Sequence, residues 1–345
     1  MKKFRKIVVW AMLSIMMQCA GLLFIEKVLF KHSSGFTAQK VEDKQKTTEA
    51  NITIPSNAQN VAVSFDGRYI TYNDNNKFML VNTNTSESKE ILGEKEVLFT
   101  KWIPKNNMIM IAEKVKGESG NDVIKIETYN AKTGVENPIV EVCNYKKGME
   151  VSDIVISALS GVNYVCVSNG GNNTTIYRVD INNEKTQLPN KVASIGSISA
   201  FLHKDVLIYE DSLNKVFYRY TNGTRNKINF KDSNKMVILG TDNNDNIYMG
   251  ELSGEKITKI IYGKDDTDSS TWQSKSLDKA KSPNDIYITN HGDILVNDNL
   301  QGKVTNLTNN ETISYVGKFI AVNDKVICSS DSGSIYIKSI ADIDA

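Results

Sequence analysis

Apolar and polar residues alternate along most of this chain, most clearly over residues 61–92, VAVSFDGRYITYNDNNKFMLVNTNTSESKEIL. Residues 61–64 alternate, Asp66-Gly67 turns the chain, and residues 68–72 alternate again. Asp74, Asn75 and Asn76 turn it back, and residues 77–82 run out to a second polar turn at 83–88. Period two is the signature of a half-buried strand, and Asp-Gly or Asn-rich pairs between such runs mark hairpins. The stretch therefore predicts consecutive short antiparallel strands.

Weaker copies follow to the C-terminus, at 97–142, 151–188, 195–230, 236–277, 284–316 and 318–340. Their first strands begin near residues 61, 98, 151, 195, 237, 284 and 319. A period of about 40 residues is that of β-propeller blades. The last copy is one strand short, and Asn51-Ile52-Thr53-Ile54, just before the first copy, is unused. Donated to the last sheet, this N-terminal strand would leave no open sheet edge between the two ends of the ring. The expected fold is all-β, a propeller of seven four-stranded blades over 51–345. Six blades, with two copies merged, is the structural alternative.

Ahead of the repeats the pattern changes. Lys2, Lys3, Arg5 and Lys6 crowd residues 1–6, and residues 7–25 form an uncharged, mostly apolar run. As a helix, that run would span roughly 28 Å, close to a bilayer core. The basic residues before it predict a cytoplasmic N-terminus and an extracytoplasmic remainder. Residues 7–25 are thus read as an uncleaved transmembrane signal anchor crossing the cytoplasmic membrane, and the polar residues 26–50 as a stalk.

The quoted residues also carry a family resemblance. Ser64-Phe65-Asp66-Gly67-Arg68-Tyr69-Ile70-Thr71-Tyr72 resembles the S-P-D-G-K-x-I-A-Y signature of TolB-like propeller repeats. The same repeats occur in the N-terminal propeller of dipeptidyl peptidase IV-type enzymes. Trp102-x-Pro104 resembles their W-S-P element. Phe65 replaces the usual Pro, and Lys105-Asn106-Asn107 replaces Asp-Gly. The resemblance implies a propeller and little about activity, because binding proteins, scaffolds and enzyme accessory domains share the repeat.

Composition narrows the function. The 41 Lys and Arg against 40 Asp and Glu leave a net charge of +1, with no field suited to nucleic acid. No G-x-S-x-G elbow occurs, and the only histidines are His32, His203 and His291. Asp242-x-Asn244-x-Asn246 and Asp266-x-Asp268-x-Ser270 mimic half an EF-hand loop. Each lacks the glycine at position six and the closing Glu, so both are read as polar turns. Cys143, Cys166 and Cys328 sit in apolar runs and are read as buried thiols, while Cys19 lies in the apolar N-terminal run. No cofactor or metal is expected. Trp272, after the acidic loop that holds Asp266 and Asp268, is the candidate partner contact, with core packing as the competing role.

These observations point to a non-catalytic, membrane-anchored, extracytoplasmic scaffold of a bacterial envelope. Its partner would be an envelope protein or polysaccharide, and its role accessory to export or assembly of envelope material. Carbohydrate or cell-wall binding, and a propeller lyase or hydrolase with a funnel site, are the competing readings.

Overall fold

The computed structural model describes Lys6, Trp10, Met12, residues 14–18, and residues 52–340 apart from Asn76, 171–172, 190–191, 231–234 and 266–268. The chain divides into two compact units, residues 1–45 and 46–345. In the first, the described residues are helical, and no described helix is long and apolar enough to cross a membrane. Most of the apolar run 7–25 and all of the stalk 26–50 lie outside the described residues.

The second unit is a seven-bladed propeller. Seven separate four-stranded sheets each pair in simple antiparallel order. The innermost strands are Gln59–Val63, Glu96–Trp102, Glu150–Ser157, Ile195–Ala200, Met236–Thr241, Ile286–Ile288 and Lys318–Val322. The seventh sheet draws its outer strand from Ile52–Thr53, where Ile52 pairs with Ile335 and Thr53 with Ser334. Strands A to D of each blade alternate in direction. All A–B and C–D turns therefore lie on one face, and all B–C turns and blade-to-blade connections on the other.

Seven apolar clusters fill the seams between blades, one per seam. Met110 and Ile126 of blade 2 meet Ile154 and Val165 of blade 3. Ile70 and Val81 of blade 1 meet Val326 and Cys328 of blade 7. Each sheet is covered on both faces, so residues on either side of the alternation can be buried. Ile124 and Ile126 face one seam. Glu127, next along the same strand, faces the other with its side chain only 3% exposed.

The turn of the leading repeat shows why its sequence is as it is. Asp66 Oδ1 accepts from the Arg68 N–H at 3.0 Å and from Ser64 Oγ at 3.1 Å. Gly67 stands at φ +74°, and a Cβ there would press on Ile337 and Val326 of blade 7. Only glycine meets both demands. The pairing of A with B slips register in every blade except the sixth. Such bulges sharpen the twist of an inner strand beside the axis.

Candidate interaction face

The A–B turns occupy equivalent positions one blade apart, and their opening residues are Ser64, Ile103, Ser157, Phe201, Asp242, Thr289 and Asn323. The backbone bond that closes each turn recurs, as from Ser64 N to Tyr69 O and from Phe201 N to Val206 O. Five of the seven openers carry a short polar side chain able to bond nearby backbone.

These turns are laced to one another across the seams. Asn107 Nδ2 donates to Asp66 Oδ2 at 2.9 Å, joining blades 2 and 1. The Leu159 N–H reaches the Leu202 carbonyl, and Ser157 Oγ donates to the carbonyl oxygens of Leu202 and Lys204, both at 3.1 Å. Lys204 pairs with Asp245. The Asn243 N–H donates to Asn290 O at 2.8 Å, Asn290 Nδ2 to Asp324, and Asn323 Nδ2 to Ser64 O at 3.2 Å. The remaining seam, between blades 2 and 3, is bridged from inner strand to inner strand by Lys101 and Asp153 at 2.8 Å.

Two carboxylates organise the face. Asp242 is 2% exposed. Its Oδ1 accepts from the N–H groups of Asn244 and Asn246, and its Oδ2 from Asn246 Nδ2 at 2.7 Å and the Tyr248 hydroxyl at 3.0 Å. The loop that mimics calcium ligands thus has both oxygens occupied by protein donors. Burial and then the Asp242 charge push the Tyr248 phenol far above its ordinary range. Asp205 accepts from the Tyr164 hydroxyl and, at 2.8 Å, from Arg178 Nε. Burial first, then this hydrogen bond, raise the Tyr164 phenol likewise. Both phenols remain donors at any physiological pH.

Along the axis, Ser199 and Thr241 of blades 4 and 5 lie 3.2 Å apart, and Thr241 Oγ1 donates to Ala200 O at 2.9 Å. Among the described residues, no group of three or more His, Cys, Asp or Glu side chains is placed to hold a metal ion. His203 Nε2 lies 3.3 Å from Asp245 Oδ1 on this face, and His291 is exposed in the sixth A–B turn.

Trp272 is half-buried. Its ring meets Phe230 edge-on at 5.5 Å and joins the apolar cluster between blades 4 and 5. The indole lies directly over Gly263, where any Cβ would collide with it. Asp266 and Asp268 lie outside the described residues, while Asp265 beside them pairs with Arg219 of blade 4. Cys166 and Cys328 are buried and Cys143 is half-buried, all as free thiols. Arg178, Asp205 and Asp245 carry no motif; the one signal in sequence is that Asp205 and Asp245 both stand in A–B turns about one blade length apart, and Arg178, in a third strand, has none.

Comparison with known proteins adds the following. No family model matches the chain, and no curated protein matches it. Among solved structures, it is similar to Kluyveromyces lactis Hsv2p, at 10% identity over 82% of this chain and 97% of that one, with a TM-score of 0.49. A variant of that protein, KlHsv2 with loop 6CD replaced by a Gly-Ser linker, is 12% identical over 81% and 96% of the two chains, also at 0.49. The propeller assignment itself rests on the strand pairing described above.

Proposed function

We propose that this chain is a non-catalytic protein-interaction propeller, held at the cytoplasmic membrane by residues 7–25 and working on the outer side, in a bacterial cell envelope. The observation that carries this reading is the A–B turn face, a broad surface whose polar groups are spent on fixing each turn and on joining one blade to the next. Asp205 and Asp242 have protein donors on both oxygens, and Lys204 is directed at Asp245. A surface so cross-linked presents its turns in a fixed arrangement, which suits docking of a partner with little ordering cost. The apolar run behind Lys2, Lys3, Arg5 and Lys6 supports the anchor and its orientation. A partner that exports or assembles envelope material accords with that placement.

The test is fractionation of cells producing the full chain, protease treatment of intact cells or spheroplasts, and cross-linked recovery from solubilised membranes. The chain is expected in the membrane fraction, cut from outside, and joined to an envelope protein. A chain found in the soluble fraction, or recovered without a partner after cross-linking, overturns the proposal.

A further inference from the structure

Among the described residues of the propeller, Val135, Leu159, Ile181, Leu213, Leu300 and Val316 are the large apolar side chains that stand in solvent, and two of them adjoin on blade 3. Leu159, at the apex of its A–B turn, is 63% exposed, and Ile181, on its C–D turn, is 74% exposed. A Cβ on Gly161 would touch three carbons of the Ile181 side chain at 3.1–3.2 Å, so Ile181 lies against the turn that carries Leu159. On the opposite face, Leu213 and Leu300 are also exposed, but they belong to blades 4 and 6.

Both apolar residues are held outward by ordered backbone. Leu159 N–H is bonded to Leu202 O of blade 4. Asp180 Oδ1 accepts from the N–H groups of Asn182 and Glu184, at 2.9 and 3.0 Å, and fixes the turn around Ile181. Two places after the opener, where blade 3 has Leu159, the other blades carry Asp66, Lys105, His203, Asn244, His291 and Lys325. A leucine at this position is therefore a departure from the rule of the face.

The surroundings are acidic. Asp180 and Glu184 share the turn with Ile181, and Asp205 stands across the seam. Arg178 is shared between Asp205, at 2.8 Å, and Asp180, at 3.5 Å. Lys204 pairs with Asp245, and Lys185, beside Glu184, donates to the Glu141 carbonyl. Asp180, Glu184 and Asp205 thus outnumber Arg178 and Lys185 by one charge. The described turns of the whole face repeat this bias, with roughly twice as many carboxylates as lysines and arginines, although the chain as a whole is balanced.

We infer that the blade 3 patch formed by Leu159 and Ile181 docks a basic polypeptide segment, one that lays aliphatic side chains on the patch and lysines or arginines against Asp180 and Glu184. The apolar pair supplies the contact, and the carboxylates select the charge of the partner and speed its approach. This identification of the partner rests on the interaction-module reading above.

The experiment uses the full chain in detergent micelles and a fluorescein-labelled peptide of alternating lysine and leucine pairs, with a peptide bearing glutamate for lysine as its counterpart. Saturable binding of the basic peptide is expected, about tenfold weaker in the double variant L159S/I181S and unchanged in L213S/L300S. Added salt is expected to weaken it, and the acidic peptide is expected not to bind. Equal binding to both double variants, equal binding of the acidic peptide, or no binding of the basic peptide overturns the inference. Cross-linked recovery from membranes separates the two readings. If L159S/I181S recovers the same partner as the unaltered chain, the patch is wrong and the interaction module stands. If the unaltered chain recovers none, the interaction module fails, and the peptide titration still judges the patch.

Discussion

The Tyr164 hydroxyl of blade 3 donates its hydrogen bond to Asp205, which belongs to the A–B turn of blade 4. One phenol thereby joins the second strand of one sheet to the turn of the next, and Arg178 closes the group from the same side at 2.8 Å. Tyr164 is fully buried, while the Asp205 side chain that accepts its proton is 30% exposed.

Tyr164→Phe keeps the ring and removes the donor. The cost expected is about 2 kcal/mol, the scale of a hydrogen bond to a charged acceptor. Urea unfolding of the variant measures it. A midpoint equal to that of the unaltered chain would mean that the pair contributes nothing to the seam.

Lys95 and Lys125 serve two carboxylates, Glu113 and Glu127, whose side chains are each 3% exposed in the seam between blades 1 and 2. Lys95→Met leaves these carboxylates one cation short and is expected to cost about 3 kcal/mol. Adding Glu127→Gln should recover part of the loss, because the charge left unpaired is then gone. Denaturant midpoints of the single and double variants form the check, and strictly additive losses would contradict the coupling.

Stability is expected to fall in alkali. Burial opposes the charge on Lys95, but its bonds to Glu127 and Glu136 and the nearby Glu113 charge outweigh that and raise it above 10.5. The phenols of Tyr164 and Tyr248 are raised above 10.0 by burial and by their aspartate partners. A group raised by folding contributes stability that is complete below its unfolded value and lost as pH climbs toward the folded one. The loss therefore begins near pH 10. Tyr164→Phe should lessen the slope of melting temperature against pH above that point, and an unchanged slope would refute the assignment.

Asp242→Ala removes the acceptor of four protein donors and leaves the Tyr248 hydroxyl, 3.0 Å away, without this partner. A loss of about 2–3 kcal/mol is expected. Millimolar calcium should leave the melting temperature of the unaltered chain where it is, since ligand binding to the folded state would raise it.

Thiol reactivity should rank by burial. Cys328 is almost fully buried, and burial pushes its thiol up to about 12. Cys166 is raised further by the same cause, while Cys143 is only partly covered. Iodoacetamide labelling followed by mass spectrometry is expected to modify Cys143 first, and Cys166 and Cys328 only on unfolding. Early labelling of Cys166 would show that its seam opens.

The blades were legible because period two and Asp-Gly or Asn-rich turns are local signals, and the seven strand starts near 61 to 319 fall within a few residues of the inner strands. The fifth blade runs on to Lys281 rather than 277, because its outer strand is exposed and lacks alternation. Glu113 and Glu127 read in sequence as the polar side of a half-exposed strand. They are buried because a blade has another blade on each face, a fact that no single strand records. The turn lacing escaped notice for a related reason. Asn107 and Asp66 are 41 residues apart, as are Lys204 and Asp245, and Tyr248 and Gly292 are 44 apart. These separations equal one repeat, so each bond exists only once the ring does. The polar neighbours of Trp272 leave both a partner contact and core packing open in sequence, because its ring partner Phe230 belongs to the preceding blade.

The charged cluster on one face of blade 2 has one more consequence. Lys95 lies on the connection from blade 1, one residue ahead of the innermost strand of blade 2, and it reaches Glu113, Glu127 and Glu136 on the other three strands of that sheet. The lysine works as a clasp: the crossing from one blade to the next is fastened across the full width of the sheet it leads into.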